Sequence, residues 1–184
     1  MRHIALFVVV VTMVSTNSLA QAQAPTDAIA KALSALPAAL RDGAGVIKWK
    51  SDFTYDTLKK GTNGLVCYDR SGFPEQQPFS IECTSIANLD RAAQNLKYEA
   101  LGDKAKTEAA LTALEKDGTR VKPEFGSVWY HLAGADREHA NPHMTIAVPG
   151  ATTQSLGLPD NNKQGGVWIM NAGTTTAHLM VPGE

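Results

Sequence analysis

Apolar positions along the chain first recur every three to four residues, then every two. Between Thr26 and Arg41 the residues Ile29, Leu33, Leu36 and Leu40 fall on one helical stripe, with Thr26 or Asp27 as the cap. Pro37 lies inside that stripe and should kink or divide the helix, and Asp42-Gly43-Ala44-Gly45 should end it. Val46 to Lys50 alternates apolar and basic residues and reads as a strand. Asn63-Gly64, within Lys60 to Gly64, is the strongest turn signal nearby, and predicts a hairpin whose second strand is Leu65 to Tyr68. Asp69 to Pro78 is rich in Gly, Pro and Gln and reads as a loop. A second helical stretch begins after Cys83, capped by Ser85, with Ile86, Leu89, Ala93, Leu96 and Ala100 on one face and Gly102 as its stop. A third helix is expected over Asp103 to Asp117, with Ala110, Leu111 and Leu114 inward and a solvated Lys/Glu face.

From Val121 the period becomes two. GSVWYHLAG, PHMTIAVP, GGVWIMNAG and TAHLMVP are four candidate strands, and Asn171 to Thr174 fits a tight hairpin between the last two. The expected fold is α+β: an antiparallel or mixed sheet of about five to six strands packed against two to three helices. Residues two apart on a strand share a face. One face is then aliphatic: Val128, Tyr130 and Leu132; Met144, Ile146 and Val148; Val167 and Ile169; Ala177, Leu179 and Val181. The opposite face carries His131, His143 and His178 with Trp129, Trp168, Met170 and Met180. If the four strands share a sheet without a register slip, these side chains lie on one surface, either a buried layer or the floor of a pocket.

Composition changes the picture at the N-terminus. Arg2 and His3 precede an apolar run from Ile4 to Val14, followed by polar residues and Ala20-Gln21-Ala22. This is the pattern of a secretory signal peptide over residues 1–22, cleaved after Ala22, with Ala20 or Ala24 as other cleavage positions and an uncleaved anchor as the alternative. Removing the first 22 of 184 residues leaves 162, one domain's worth over residues 23–184. Arg2 goes with them, leaving 16 basic and 18 acidic residues, a net charge of −2. No basic stripe is present, which argues against a nucleic-acid partner. No second apolar segment has membrane-spanning length, so a secreted or periplasmic protein without membrane insertion after signal cleavage is expected. Cys67 and Cys83 then read as one structural disulfide, with metal binding or thiol exchange as alternatives.

Some phrases have a familiar form. GTNGLVC (Gly61 to Cys67) after the Trp49 segment, PHMTIAVP, and the tail GGVWIMNAGTTTAHLMVP resemble a family of short, uncharacterised secreted bacterial proteins with a GTNGxxC phrase and a C-terminal AHxMVP ending. Leu65 stands where that pattern has Trp, and Thr175-Thr176 where it has Pro-Tyr. The resemblance implies no activity. It does place His143 and His178 on family-like positions, and His131 and His139 off them.

The candidate ligand-binding residues are therefore His143, His178, His131, Trp129 and Trp168, with His143 and His178 as candidate ligands of a transition metal. Asp136 and Glu138 in ADREHANPH are nearby carboxylates, and Pro142 spoils a helical clamp between His139 and His143. No HExxH or Gly-x-Ser-x-Gly is present, and Ser127 is too loosely placed against His131 to mark a nucleophile. Two functions remain: a module that binds a small molecule, a metal or a cell-surface partner, or a small extracellular hydrolase using a His-based site.

Overall fold

The computed structural model describes residues 26–181. The signal-peptide reading and the terminal Pro182 lie outside them. Eight strands form one mixed sheet: β1 (Gly45–Trp49), β2 (Tyr55–Lys59), β3 (Leu65–Asp69), β4 (Phe79–Ser85), β5 (Val128–Gly134), β6 (Asn141–Ala147), β7 (Trp168–Met170) and β8 (His178–Met180). Their order is β2-β1-β3-β4-β5-β6-β8-β7. Only the β1–β3 pair is parallel. The helices are α1 (residues 26–32), α2 (Ala38–Arg41), α3 (Leu89–Glu99), α4 (Lys104–Asp117) and α5 (Thr153–Leu156). The α+β class is as expected; among the described residues the strands number eight rather than about five to six, and the helices five rather than two to three.

Three corrections account for the difference. Asn63-Gly64 does not close a hairpin. β2 pairs antiparallel with β1 through the upstream turn at Ser51 to Thr54, where Asp52 Oδ1 accepts from the Thr54 amide and hydroxyl. The Gly61–Gly64 segment instead crosses the start of β1 so that β3 can pair with it in parallel. Gly61 permits the crossing, because a Cβ there would stand 2.4 Å from the Gly45 nitrogen. Asn63 anchors it, donating to the Leu40 carbonyl at 2.9 Å and accepting from the Leu65 amide at 3.0 Å.

The second correction is β4, a central strand where no strand was expected. Phe79, Ile81 and Cys83 face one way, Ser80, Glu82 and Thr84 the other, and all six are buried. The third concerns residues 149–166, which form no simple gap. They carry α5, held by a reciprocal Thr152–Ser155 capping box and ended at Gly157 in the left-handed conformation. The last hairpin does form, but through residues 171–177 rather than a two-residue turn.

Pro37 divides the first helix as expected: the chain passes from α1 through a 3₁₀ turn (Leu33–Ala35), is extended at Leu36, and resumes at Ala38. Ala32 and Leu36 pack on Val46, Cys67 and Cys83, the aliphatic face of the sheet. Cys67 and Cys83 are directly opposed across β3 and β4, with their sulfurs 2.10 Å apart, at disulfide distance. On the opposite face, Leu89, Ala92 and Leu96 of α3 cover Ile47, Trp49, Val66 and Tyr68. Ile86 sits in a preceding 3₁₀ turn and is exposed, so the buried stripe of the second helix runs from Leu89 and includes Arg91. Asp103 caps α4 and Gly118 ends it in the left-handed conformation. Beyond β5 the aliphatic face is covered by Val148, Ala151 and Leu158 around Ile169, while Met144 stays exposed at the uncovered end of β6.

Candidate functional site

The face assignment of the histidines follows from strand register. Glu82 pairs with His131, and His131 with His143. Trp129 pairs with Thr145, Thr145 with Met180, and Met180 with Trp168. Ala147 pairs with His178, and His178 with Met170. Paired residues share a face, so the three histidines and both tryptophans belong to one side of the sheet. It is the side that α3 covers over β1 and β3 but leaves open over β5, β6 and β8.

A cleft of about 250 Å³ occupies that opening. Its floor is Trp129, His131, His143, Thr145 and His178; its walls are Arg91 and Asn95 of α3, Pro123, and Thr176 before β8. His131 and His143 face each other with ring centroids 6.0 Å apart, and Trp129 stacks beside His131 at 6.5 Å. β6 and β8 run antiparallel, so His143 and His178 do not share a strand end. His178 is opposite Ala147, roughly 13 Å of strand from His143. The closest histidine pair is thus His131–His143, and His178 closes the far side. Among the described residues no group of three or more His, Cys, Asp or Glu side chains is placed to hold a metal ion. Trp168 lies outside this cleft, in an adjoining hollow of about 400 Å³ that shares His143.

Behind His131 lies a buried polar network. The Glu82 carboxylate accepts from the Tyr68 hydroxyl and from Arg70 Nη1 at 2.6 Å, and stands 3.5 Å from His131 Nδ1. Arg70 also pairs with Glu99 of α3. Burial pushes the Glu82 carboxyl up, but Arg70, His131 and the hydrogen bonds offset it and hold it below the usual carboxylate range. Burial lowers His131, against the pull of Glu82. Burial also lowers His178, whose Nδ1 is 2.7 Å from the Thr176 carbonyl. A carbonyl can only accept, so Nδ1 carries the proton and Nε2 is the unprotonated nitrogen of the neutral ring.

Arg91 is the principal residue that the sequence reading missed. It is only 4% exposed, and donates to the Val121 carbonyl at 2.5 Å and to the hydroxyls of Thr175 and Thr176 at 3.3 and 2.8 Å. Burial, with Arg120 nearby and Glu115 in opposition, brings its guanidinium down to about 10. The available signal was a cation between Leu89 and Ala92 on an otherwise apolar stripe. Glu82 and Asn95 were missed as well, because their roles depend on strand and helix neighbours; Thr145 and Thr176 fall on the histidine face by strand alternation but were not among the candidate site residues.

Other candidates are placed elsewhere. The Asp136 carboxylate is within 2.8 Å of His139 Nδ1 on the exposed β5–β6 turn, away from the cleft. Ser127 is buried and donates to the Glu124 carbonyl while accepting from Asn88, so its hydroxyl is committed. Comparison of the chain with protein-family models, curated proteins and solved structures found no match.

Proposed function

We propose that the chain is a secreted or periplasmic module, of the resembled kind with the AHxMVP ending, that binds a small molecule in the cleft over β5, β6 and β8. The supporting observation is that three imidazoles and an indole from neighbouring strands line one concave space under a helix edge. Its volume suits a compact ligand rather than a polymer. Two cysteines at disulfide distance fit an oxidising compartment. No helix among the described residues is long and apolar enough to cross a membrane.

The test is a thermal-shift screen of the exported protein with small metabolites, and with zinc and copper salts as separate probes. The reading expects at least one ligand to raise Tm, and His143→Ala to abolish that shift while leaving the unliganded Tm nearly unchanged, since His143 is exposed. A shift that persists in His143→Ala and in Trp129→Leu would place binding elsewhere and overturn it.

A hydrolase is the second reading, and the contact between Glu82 and His131 favours it. A carboxylate behind Nδ1 orients an imidazole and leaves Nε2 to act as a general base toward the cleft. Turnover of ester or phosphoester substrates, lost in both His131→Ala and His143→Ala, would select the enzyme over the binder.

A further inference from the structure

The cleft's electrostatics narrow the ligand class. Arg91 is a buried guanidinium whose hydrogen-bond acceptors are all neutral. The ion pairs among the described residues do not include it. Arg120, 5% exposed, stands next to it and is held by the amide oxygens of Gln94 and Asn95. The carboxylates near the cleft are committed, Glu99 to Arg70. Glu82 serves Tyr68 and Arg70, and Glu115 accepts from the Thr175 amide at 2.6 Å and hydroxyl at 2.5 Å. Among the described residues, no Asp or Glu lines the cleft itself. Glu115 reaches Arg91 only through the Thr175 hydroxyl, so the guanidinium borders the open space with no carboxylate in direct contact, a position that an anion in that space would stabilise.

The neutral groups at the wall are also arranged to donate. Thr176 Oγ1 accepts from Arg91, which leaves its own proton to donate. Asn95 Oδ1 accepts from Arg120, which leaves its NH₂ to donate. Arg91 itself has three of its five N–H groups engaged.

We propose that the cleft recognises the oxyanion of a small organic acid, carboxylate or phosphate, with Arg91 as its counter-ion, Asn95 and Thr176 as further donors, and Trp129 against the ligand's body. The proposal rests on the binding reading above and names its ligand class. It also sets a proton linkage. The charged and titratable groups around the anion are Arg91 from α3, His131 from β5, His143 from β6 and His178 from β8. Behind them stand Glu82 of β4 with Arg70, Glu99 of α3, Glu115 of α4, and Arg120. His131 and His178 each turn Nδ1 to an acceptor, so protonation at Nε2 converts them from acceptors to donors. Binding of an anion whose own charge is fixed over this range, such as a carboxylate, should therefore take up protons and tighten as pH falls from 8 to 6.

The experiment is calorimetric titration of the exported protein with phosphate, benzoate, phenyl phosphate and neutral benzyl alcohol at pH 6 and pH 8. Phosphate and benzoate separate the two oxyanion sources. Phenyl phosphate against phosphate measures the contribution of the body. The expected result is that at least one anion binds, benzyl alcohol binds at least tenfold more weakly, and benzoate, a monoanion throughout this range, binds more tightly at pH 6. Arg91→Gln should weaken the anion at least tenfold. Because Arg91 also ties Val121, Thr175 and Thr176 together, Asn95→Asp is the second variant. It keeps an acceptor for Arg120 while removing donors and adding a negative charge, and should weaken the anion at least tenfold in a folded protein. Equal binding of benzyl alcohol, lost in Trp129→Leu, would overturn the anion proposal and leave the small-molecule reading standing. Anion affinity unchanged in folded Asn95→Asp, or no anion binding at either pH, would overturn the proposal outright.

Discussion

Glu82 shows why single residues here act through neighbours. Its carboxylate stands between Tyr68, Arg70 and His131, with Arg70 reaching on to Glu99. Glu82→Gln keeps the shape but removes one charge from a buried pair, so we expect destabilisation of about 3 kcal/mol, read from the urea midpoint. His131 and His178 supply a pH dependence. Their folded pKa values are lowered, so as pH falls past about 6.5 the unfolded chain takes up protons first. Their contribution to stability is full above that pH and lost below it. The unliganded protein should therefore have a lower urea midpoint at pH 5.5 than at 7.5, and His178→Gln should reduce that difference. None of this was legible from residue types alone. Glu82 falls in a stretch where no strand was expected, and Arg91 reads as one charge among several on a helix.

Elements were legible where local chemistry and pairing agree. Period-two alternation over β5, β6, β7 and β8 gave the correct face for all three histidines, because these strands pair without a slip. Pro37 acted where it stands. The failures have equally local causes. Asn63-Gly64 has turn chemistry, but its hydrogen bonds go to Leu40 and Leu65 across β1 rather than to a facing strand. β4 alternates polar and apolar residues like an edge strand, yet it is buried on both faces because Thr84 and Glu82 meet polar partners there. Two substitutions test this level. Gly61→Ala should cost about 2 kcal/mol or more, since its Cβ would meet backbone at 2.4 Å. Cys67→Ala with Cys83→Ala should cost about 3 kcal/mol, as expected for removal of a cross-link 16 residues long. Both are read by denaturant unfolding.

At the scale of the whole molecule, the sheet has eight strands but α3 spans only part of one face. Its edge leaves β5, β6 and β8 uncovered, and the cleft is the space between that edge and the exposed strands. The sequence carries a net charge near zero and no basic stripe. The anion proposal rests on placement: Arg91 lines the cleft from α3, Arg120 is buried behind it, and no Asp or Glu among the described residues lines the cleft. Strand order and the reach of α3 decide this, and neither can be read from periodicity. The family-like positions favoured His143 and His178, whereas the fold brings His131 closest to His143 and sets His178 across from them.

The most direct test of the cleft as a binding site is histidine side-chain NMR. Beyond residue 22 the chain has four histidines, 131, 139, 143 and 178, so each imidazole can be assigned by substitution. During titration with benzoate or phosphate at pH 6, resonances of His131, His143 and His178 should move together along one binding curve, while His139 on the β5–β6 turn stays fixed. No movement, or His139 shifting along with the other three, would contradict a shared site.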